Sequence, residues 1–360
     1  MNLSLPTRIH PGVAAALAAA LLFGASAPLA KLLLATVSPW LLAGLLYLGS
    51  GLGLLLYRAV RRAPRATLPR GEGKWLAGAV LSGGVLGPVL LMLGLAGMPA
   101  VSASLLLNAE GVFTALLAWF VFQENFDRRI ALGMALIAGG ALVLAWPGSA
   151  AGMAPGLPML AVLGACLAWA VDNNLTRKVS LSDATWIAAV KGLAAGSANL
   201  ALALLASHLG WAPSLPAFAT LAPWLPLALL LGLLSYGVSL SLFVFALRHL
   251  GTARTGAYFS AAPFFGALLA VALGEPLSWP LLLAGALMAA GVWLHLTERH
   301  SHLHSHPTDA HAHPHTHDEH HQHSHDFAWD GREPHTHAHP HPPLRHSHRH
   351  YPDMHHTHGH

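Results

Sequence analysis

Long apolar runs separated by short polar turns set the pattern of this chain. Ten runs are long enough to read as membrane-crossing helices, at roughly 12–34, 38–59, 75–97, 100–122, 130–146, 157–176, 185–206, 223–247, 254–273 and 279–296. A crossing helix needs about 20 predominantly apolar residues. Pro39, RRAPRATLPRGEGK, Pro99, PGSAAGMAPG and Glu275-Pro276 supply the turn signals between them. One passage is written twice: ASLLLNAEGVFTALLAWFVFQENFDRRIALGMALIAGGALVL at 103–144 and TGAYFSAAPFFGALLAVALGEPLSWPLLLAGALMAAGVWL at 255–294. The copies align at an offset of about 151 residues with one small slip, so Glu124 falls on Glu275 and Gly140 on Gly291. Duplicated apolar hairpins are a common construction of secondary transporters.

Basic residues orient the predicted spans. With the amino terminus in the cytoplasm, Arg58, Arg61, Arg62, Arg65, Arg70, Lys74, Arg128, Arg129, Arg177, Lys178, Arg248, Arg254 and Arg299 fall inside, and only Lys31 falls outside. The 147–156 and 207–222 loops carry no Lys or Arg. Both chain ends are then cytoplasmic. Five spans per half is an odd number, so the second half enters the bilayer upside down relative to the first.

The repeat extends to the front of each half, where FGASAPLAK at 23–31 parallels WAVDNNLTR at 169–177. Phe23 matches Trp169, and Lys31 matches Arg177. An aromatic-small start to spans 1 and 6, a Phe-x-ALLA helix ending in an acidic turn, and Gly-rich closing spans (GMALIAGGALVL, AGALMAAGVWL) follow. In these features the chain resembles the EamA family of the drug/metabolite transporter superfamily, over about 12–297. The resemblance implies ten helices around a central cavity and carriage of small solutes, often outward. The first copy departs from the pattern at Glu110-Gly111, where the second has Ala262-Pro263. The expected fold is an all-α integral membrane protein with ten transmembrane helices in two inverted repeats, 1–146 and 147–297. A disordered His-rich tail is expected at 298–360.

Composition agrees: 54% of the 360 residues are hydrophobic and 9% charged, against about 25% charged in a soluble domain. An ordinary cytosolic enzyme is excluded. The excess of basic over acidic residues does not signal nucleic acid, because the basic residues are dispersed between apolar runs. The lone Cys166 sits in an apolar segment and forms no intrachain disulfide. The signal-like first thirty residues read as an uncleaved first span, since apolar sequence continues past Lys31.

Within so apolar a chain, the few buried polar residues carry the candidate chemistry. Glu110 lies near the middle of span 4, where an ionised group costs on the order of 2.5–3.5 kcal/mol on insertion scales. Binding a proton or a cation removes that cost. Thr114 is one turn away on the same face, while Ser104 and Asn108 share a different face. Asp172 and Lys191, near the cytoplasmic ends of spans 6 and 7, are placed to form an ion pair. Either a structural clasp or a substrate contact fits them. Asn173, Asn174 and Asn199 enrich the same region in amides. Tyr236 and Tyr258, with Ser235 and Ser239, are further candidate cavity liners. The pairs Gly49/Gly53, Gly83/Gly87 and Gly192/Gly196 read as packing devices, and Glu124 and Glu275 as turn or gating residues.

From His300 the chain changes character: 23 of its 27 histidines lie in the last 61 residues, mostly as His-x-His. Apolar periodicity is absent, which predicts disorder. Imidazole ligates zinc, nickel, cobalt and copper. The candidate ligands are His300, His302, His304, His306, His311, His313, His315, His317, His320, His321, His323, His325, His335, His337, His339 and His341. A competing reading makes the tail a pH-sensitive tether, since protonation below about pH 6.5 would turn it strongly positive toward anionic lipid.

The leading functional expectation is a secondary transporter of the cell's inner membrane that exports a small organic solute. It would be coupled to protons through Glu110 and carry the tail as a metal-binding appendage. Two alternatives are a nickel, cobalt or zinc carrier and a non-transporting metal sensor. The expected partners are the lipid bilayer, a small-molecule or ion substrate, protons, and a second copy of the chain in a homodimer, with no nucleic acid. No Walker loop and no nucleophile-base pair points to an enzyme, and no cofactor is required.

Overall fold

Helix starts in this chain are written by caps and prolines. In the computed structural model, α3 (Pro39–Val60) begins where Ser38 accepts the Leu41 N–H at 3.4 Å. Pro39 occupies a position whose N–H would have no helical partner anyway. The structure describes residues 11–64, 66, 68–69, 71–122, 128–145, 156–177, 179, 183–212, 215, 217–296, 301–306, 309–315, 335–341 and 344–349. It divides into two compact units, 1–298 and 299–360.

The first unit is helical throughout its described regular structure. Its elements are α1 (Pro11–Gly24), α2 (Ser26–Leu33), α3, α4 (Gly73–Ala79), a π-helical segment π1 (Val80–Leu86), α5 (Gly87–Gly97), α6 (Ala100–Leu106), α7 (Ala109–Phe122) and α8 (Arg128–Ala145). There follow α9 (Leu157–Arg177), α10 (Ala184–His208), α11 (Phe218–Leu221), α12 (Leu225–Gly232), π2 (Leu233–Val238), α13 (Ser239–Phe259), α14 (Ala262–Ala272) and α15 (Trp279–Leu296). Among the described residues seven helical stretches are long and apolar enough to cross a membrane. Three shorter apolar helices, Ala131–Ala145, Ala262–Ala272 and Trp279–Leu294, stand where spans 5, 9 and 10 are expected.

Two details correct the predicted spans. Span 4 is interrupted: α6 stops at Leu106, the chain turns at 107–108, and α7 resumes at Ala109. In the second half, helix continues through 248–254, where a turn is predicted, and breaks instead at 260–261. The first half has Pro99 at its turn, whereas no proline lies between Pro226 and Pro263 to stop α13. The breaks at 107–108 and 260–261 occupy matching positions of the duplicated passage, and π1 and π2 also fall at corresponding places.

Close helix approach rests on glycine. A Cβ on Gly192 of α10 would lie 2.5 Å from the Gly51 nitrogen, and one on Gly196 would lie 2.6 Å from that of Leu48. On the other side of α3, Gly49 and Gly232 let it meet α12 backbone to backbone. Helix α3 is therefore held between α10 and α12. Elsewhere α1 packs on α13, α5 on α9, and α8 on α15, where Gly291 meets the Gly133 carbonyl. Lipid offers helices no hydrophobic drive to associate, so such backbone contact matters.

In the second unit, strands are described over parts of the His-rich tail. Strand β1 (Ser301–His306) pairs antiparallel with β4 (Leu344–Arg349), and β2 (Asp309–His315) with β3 (His335–His341). His-x-His alternation has the period of a strand. Low hydrophobicity, which led to the expectation of disorder, says nothing of that period.

Replacing Gly192 with valine forces α3 from α10 and is expected to cost about 1–3 kcal/mol as overpacking. Thermal unfolding of the purified protein checks this. Gly139→Ala is the control, because nothing lies within 4 Å of the added methyl, and its melting temperature should not fall.

Candidate functional site

A π-helical segment displaces carbonyls from ordinary helical pairing, and in a membrane each must find another donor. In π1 the Gly83 carbonyl accepts the Tyr47 hydroxyl at 2.7 Å and the Trp169 indole N–H at 2.9 Å. The Gly84 carbonyl accepts from the Asn199 amide at 2.9 Å. Three helices, α3, α9 and α10, thereby converge on one point of the third span. A side chain on Gly83 would occupy the space of the Asp172 carboxylate, and one on Gly87 would collide with Trp169. These two glycines, expected only to pack helices, make room for the polar centre.

Helix α9 organises that centre. Asp172 and Lys191 form the anticipated ion pair, with Nζ 2.5 Å from Oδ1 and 2.7 Å from Oδ2. Thr176 donates to Oδ1 at 2.8 Å, and Lys191 also reaches Thr176 Oγ1 at 3.2 Å. Only 11–12% of either charged side chain is exposed. The next residue, Asn173, serves a different partner: its amide donates to Glu110 Oε1 at 2.8 Å. Glu110 sits in the first turn of α7, where helix N-terminal partial charge favours a carboxylate. Beside it Gly111 is exposed, with no atom within 4 Å of where its Cβ would be. One turn on, the Thr114 hydroxyl is buried without a partner among the described residues.

An aromatic chain runs past these groups. Tyr47 lies 5.2 Å from Tyr236 between ring centroids, and Phe23 meets Tyr236 and Trp169 edge-on at 5.9 and 6.2 Å. Phe23 and Trp169, the matching aromatic residues of the two halves, are thus in contact.

Other expected site residues are placed elsewhere. Asn108, in the span 4 break, is buried and gives its amide to the Leu105 carbonyl and to Met288 Sδ of α15. Its amide thus answers a carbonyl freed at the break. Asn174 donates back to Ala170 in its own helix. Tyr258 packs against the small contact of Ala15, Ala16 and Ala246 between α1 and α13. Ser239 donates to the Ala19 carbonyl at 2.9 Å. Glu124 and His300, His317, His320, His321, His323 and His325 lie outside the described residues.

Two charged clasps flank the centre, and the sequence reading missed their partners. Arg58 donates to Asp183 Oδ1 at 2.8 Å, to Thr185 Oγ1 at 2.6 Å and to the Pro64 carbonyl at 2.8 Å. Asp183 also caps α10 through the Trp186 N–H at 2.9 Å. Partial burial pushes the Asp183 carboxyl up, but donors from Thr185, Trp186 and Arg58, with the Arg58 charge, hold it below the ordinary carboxyl range. At the turn between α5 and α6, Glu275 accepts the Ala100 and Val101 N–H groups, each at 2.7 Å. Lys31 donates to the Leu95 carbonyl at 2.5 Å. The positive φ of Gly274, 101°, turns the chain to deliver Glu275.

The sequence profile of the EamA-like transporter family matches residues 10–146 and 156–297. An "Uncharacterized transporter" of Methanothermobacter thermautotrophicus is 30% identical over 300 residues, covering 79% of this chain and 85% of that protein. A "Probable amino-acid metabolite efflux pump" of Salmonella typhimurium is 30% identical over 209 residues, 56% and 68% of the two chains. A "Probable 4-amino-4-deoxy-L-arabinose-phosphoundecaprenol flippase subunit ArnE" of Pseudomonas fluorescens is 36% identical over 104 residues, 29% of this chain and 90% of that one. A crystal structure 21% identical in sequence superposes with a TM-score of 0.57, covering 78% of this chain and 95% of that one.

Two outcomes are expected from the ion pairs. Asp172→Asn or Lys191→Met alone leaves a buried charge unpaired and should destabilise by about 3–5 kcal/mol, whereas the double replacement should cost less than the sum in thermal unfolding. Asp183 is held below its unfolded value near 3.8, so its contribution is complete above that pH and lost as pH falls further. The difference in melting temperature between the parent and Asp183→Asn should therefore shrink in acid.

Proposed function

The chain belongs to the EamA-like transporter family, and on that premise we propose that it exports a small organic metabolite from the cytoplasm in exchange for protons. The observation that carries this reading is the Glu110–Asn173 contact beside the open space at Gly111. Glu110 lies ten residues beyond the start of α6, about 15 Å along at 1.5 Å per residue. That is half of a hydrocarbon core about 30 Å thick. A carboxylate there that meets only a neutral amide has every reason to take up a proton, or to hold a positively charged group of a solute. Proton and solute then compete for one acceptor, and competition of this kind couples their movements in opposite directions. Thr114 supplies a further polar group one turn away.

Direction rests on the relative named as a metabolite efflux pump, which also makes amino-acid metabolites the first solutes to try. The matching helix breaks and π segments support two inverted five-helix repeats, an arrangement in which the halves exchange shapes to open the centre to either side. The positive-inside bias supports an orientation with both ends cytoplasmic, and the protein is read as one of the inner membrane. Within the described membrane unit no three His, Cys, Asp or Glu side chains gather as a metal-ligand group. Its polar centre, built of carboxylates, amides and a lysine, suits an organic solute better than a soft metal ion. The His-rich tail binds divalent transition metals as an appendage to this transporter, and no step of the transport is enzymatic.

Proteoliposomes with an imposed pH gradient, loaded with a panel of amino acids, test the coupling. Glu110→Gln should lose pH-driven exchange by at least about tenfold while inserting and melting like the parent. Retained exchange would assign Glu110 to structure alone.

A further inference from the structure

One end of the membrane unit gathers cations that its own acids do not answer. Residues 58–75, from the last turn of α3 to the first of α4, carry six basic side chains against one acid, Glu72. Arg58 is committed to Asp183, Thr185 and the Pro64 carbonyl. Arg61, Arg62 and Lys74 are exposed, and among the described residues no carboxylate pairs with them. Glu72 turns inward instead, its Oε2 buried without a partner among the described residues. Arg65 and Arg70 lie outside those residues.

Both flanks of this stretch meet at the start of α10. Asp183 and Thr185 hold Arg58 there, while Leu76 packs with Ile187 in a cluster covered by Trp75 and Trp186. Two of the exposed cations sit over rings: the Arg61 guanidinium carbon lies 6.0 Å from the centre of Tyr57, and Lys74 Nζ 4.8 Å from that of Trp75. Exposed apolar side chains continue from them along each helix. Leu52, Leu56 and Val60 recur at four-residue spacing up α3, and Leu81 lies two turns beyond Lys74.

Arg62 adds a second, independent sign. It closes α3 with φ 48°, the one positive φ outside glycine among the described residues, as the Ala63 N–H reaches back to the Arg58 carbonyl at 3.0 Å. Glycine makes such a turn with less strain. Ending the helix therefore gives no reason for an arginine here, whereas a use for its charge does.

We propose that Arg61, Arg62 and Lys74 form a binding site for the headgroup of an anionic phospholipid, with its acyl chains along the exposed α3 face. The stretches 39–60 and 73–97 are both long and apolar enough to cross a membrane, so residues 61–72 between them fall at headgroup level. Lys and Arg at that level attract anionic lipid. Arginine matches a phosphate with paired N–H donors, and Tyr and Trp favour the same depth. The apolar faces that begin beside the cations favour a lipid over a soluble phosphate, which would have no use for them. The inference rests on the chain being a membrane transporter and is independent of its solute and of Glu110.

Native mass spectrometry of the full chain in detergent, titrated with phosphatidylglycerol or phosphatidylcholine, tests the site. Phosphatidylglycerol should be held at least about tenfold more tightly, and the triple variant Arg61→Gln, Arg62→Gly and Lys74→Gln should lose that preference. Arg62→Gly alone should weaken phosphatidylglycerol binding yet melt no lower than the parent in phosphatidylcholine nanodiscs, since glycine suits that backbone. This separates lost recognition from lost folding. Equal retention of the two lipids, or a triple variant that keeps the preference, would overturn the proposal. Displacement of phosphatidylglycerol by millimolar inorganic phosphate would also overturn it, by assigning the cations to a soluble anion.

Discussion

A carbonyl released from helical pairing inside a bilayer has no water to turn to, and the structure of the membrane unit follows from how it meets that demand. π1 releases carbonyls at Gly83 and Gly84, and three side chains from three helices supply the donors. Tyr47, Trp169 and Asn199 are therefore fixed in position by the backbone of a fourth element. Unsatisfied groups at that depth cost several kcal/mol each. The third span is thus locked to α3, α9 and α10 more firmly than apolar packing in lipid would achieve.

The same economy places the charges. Charged residues in the membrane unit are assigned by how much of their charge is answered. At the α3–α10 junction Arg58 and Asp183 engage Thr185, the Trp186 N–H and the Pro64 carbonyl, so each charge is met by several partners. At the α5–α6 turn, Glu275 and Lys31 serve opposite sides of one chain reversal, the carboxylate on helix-start N–H groups and the ammonium on helix-end carbonyls. Each sign sits where the helix dipole favours it. Lys31, an exception to the expected basic-inside pattern, has its charge answered by this capping.

Much of this was legible in the residues. The apolar runs and the Asp172–Lys191 pair could be read because each is a one-dimensional signal: a run length, and a pair of opposite charges on adjacent spans. The misses have a common origin. A π segment leaves no periodic trace, so Gly83 and Gly87 read only as small residues for packing, and Tyr47 drew no notice. The sequence offered Asn108 and Asn174 as solute contacts because an amide in a span is costly; it could not show that both also answer carbonyls of their own spans. The missing Pro99 equivalent in the second half was visible, but its consequence, the continuation of α13, was not drawn from it.

Asp172 and Glu110 are both carboxylates facing α9 or borne on it, and their surroundings assign them opposite parts. Asp172 has a cation on both oxygens and a hydroxyl besides, so removing its charge would strand Lys191 in the same buried spot. It is fixed in one state by its partner. Among the described residues Glu110 meets one neutral donor, the Asn173 amide, and a Cβ on the neighbouring Gly111 would meet nothing within 4 Å. No cation in the described centre depends on its charge, so changing that charge leaves nothing else unpaired. This difference in partners is what the proposed coupling through Glu110 rests on. The adjacency of Asp172 and Asn173 in sequence places two contacts on one helix turn: the turn is anchored to α10 through the Asp172–Lys191 ion pair, and it presents the Asn173 amide to Glu110.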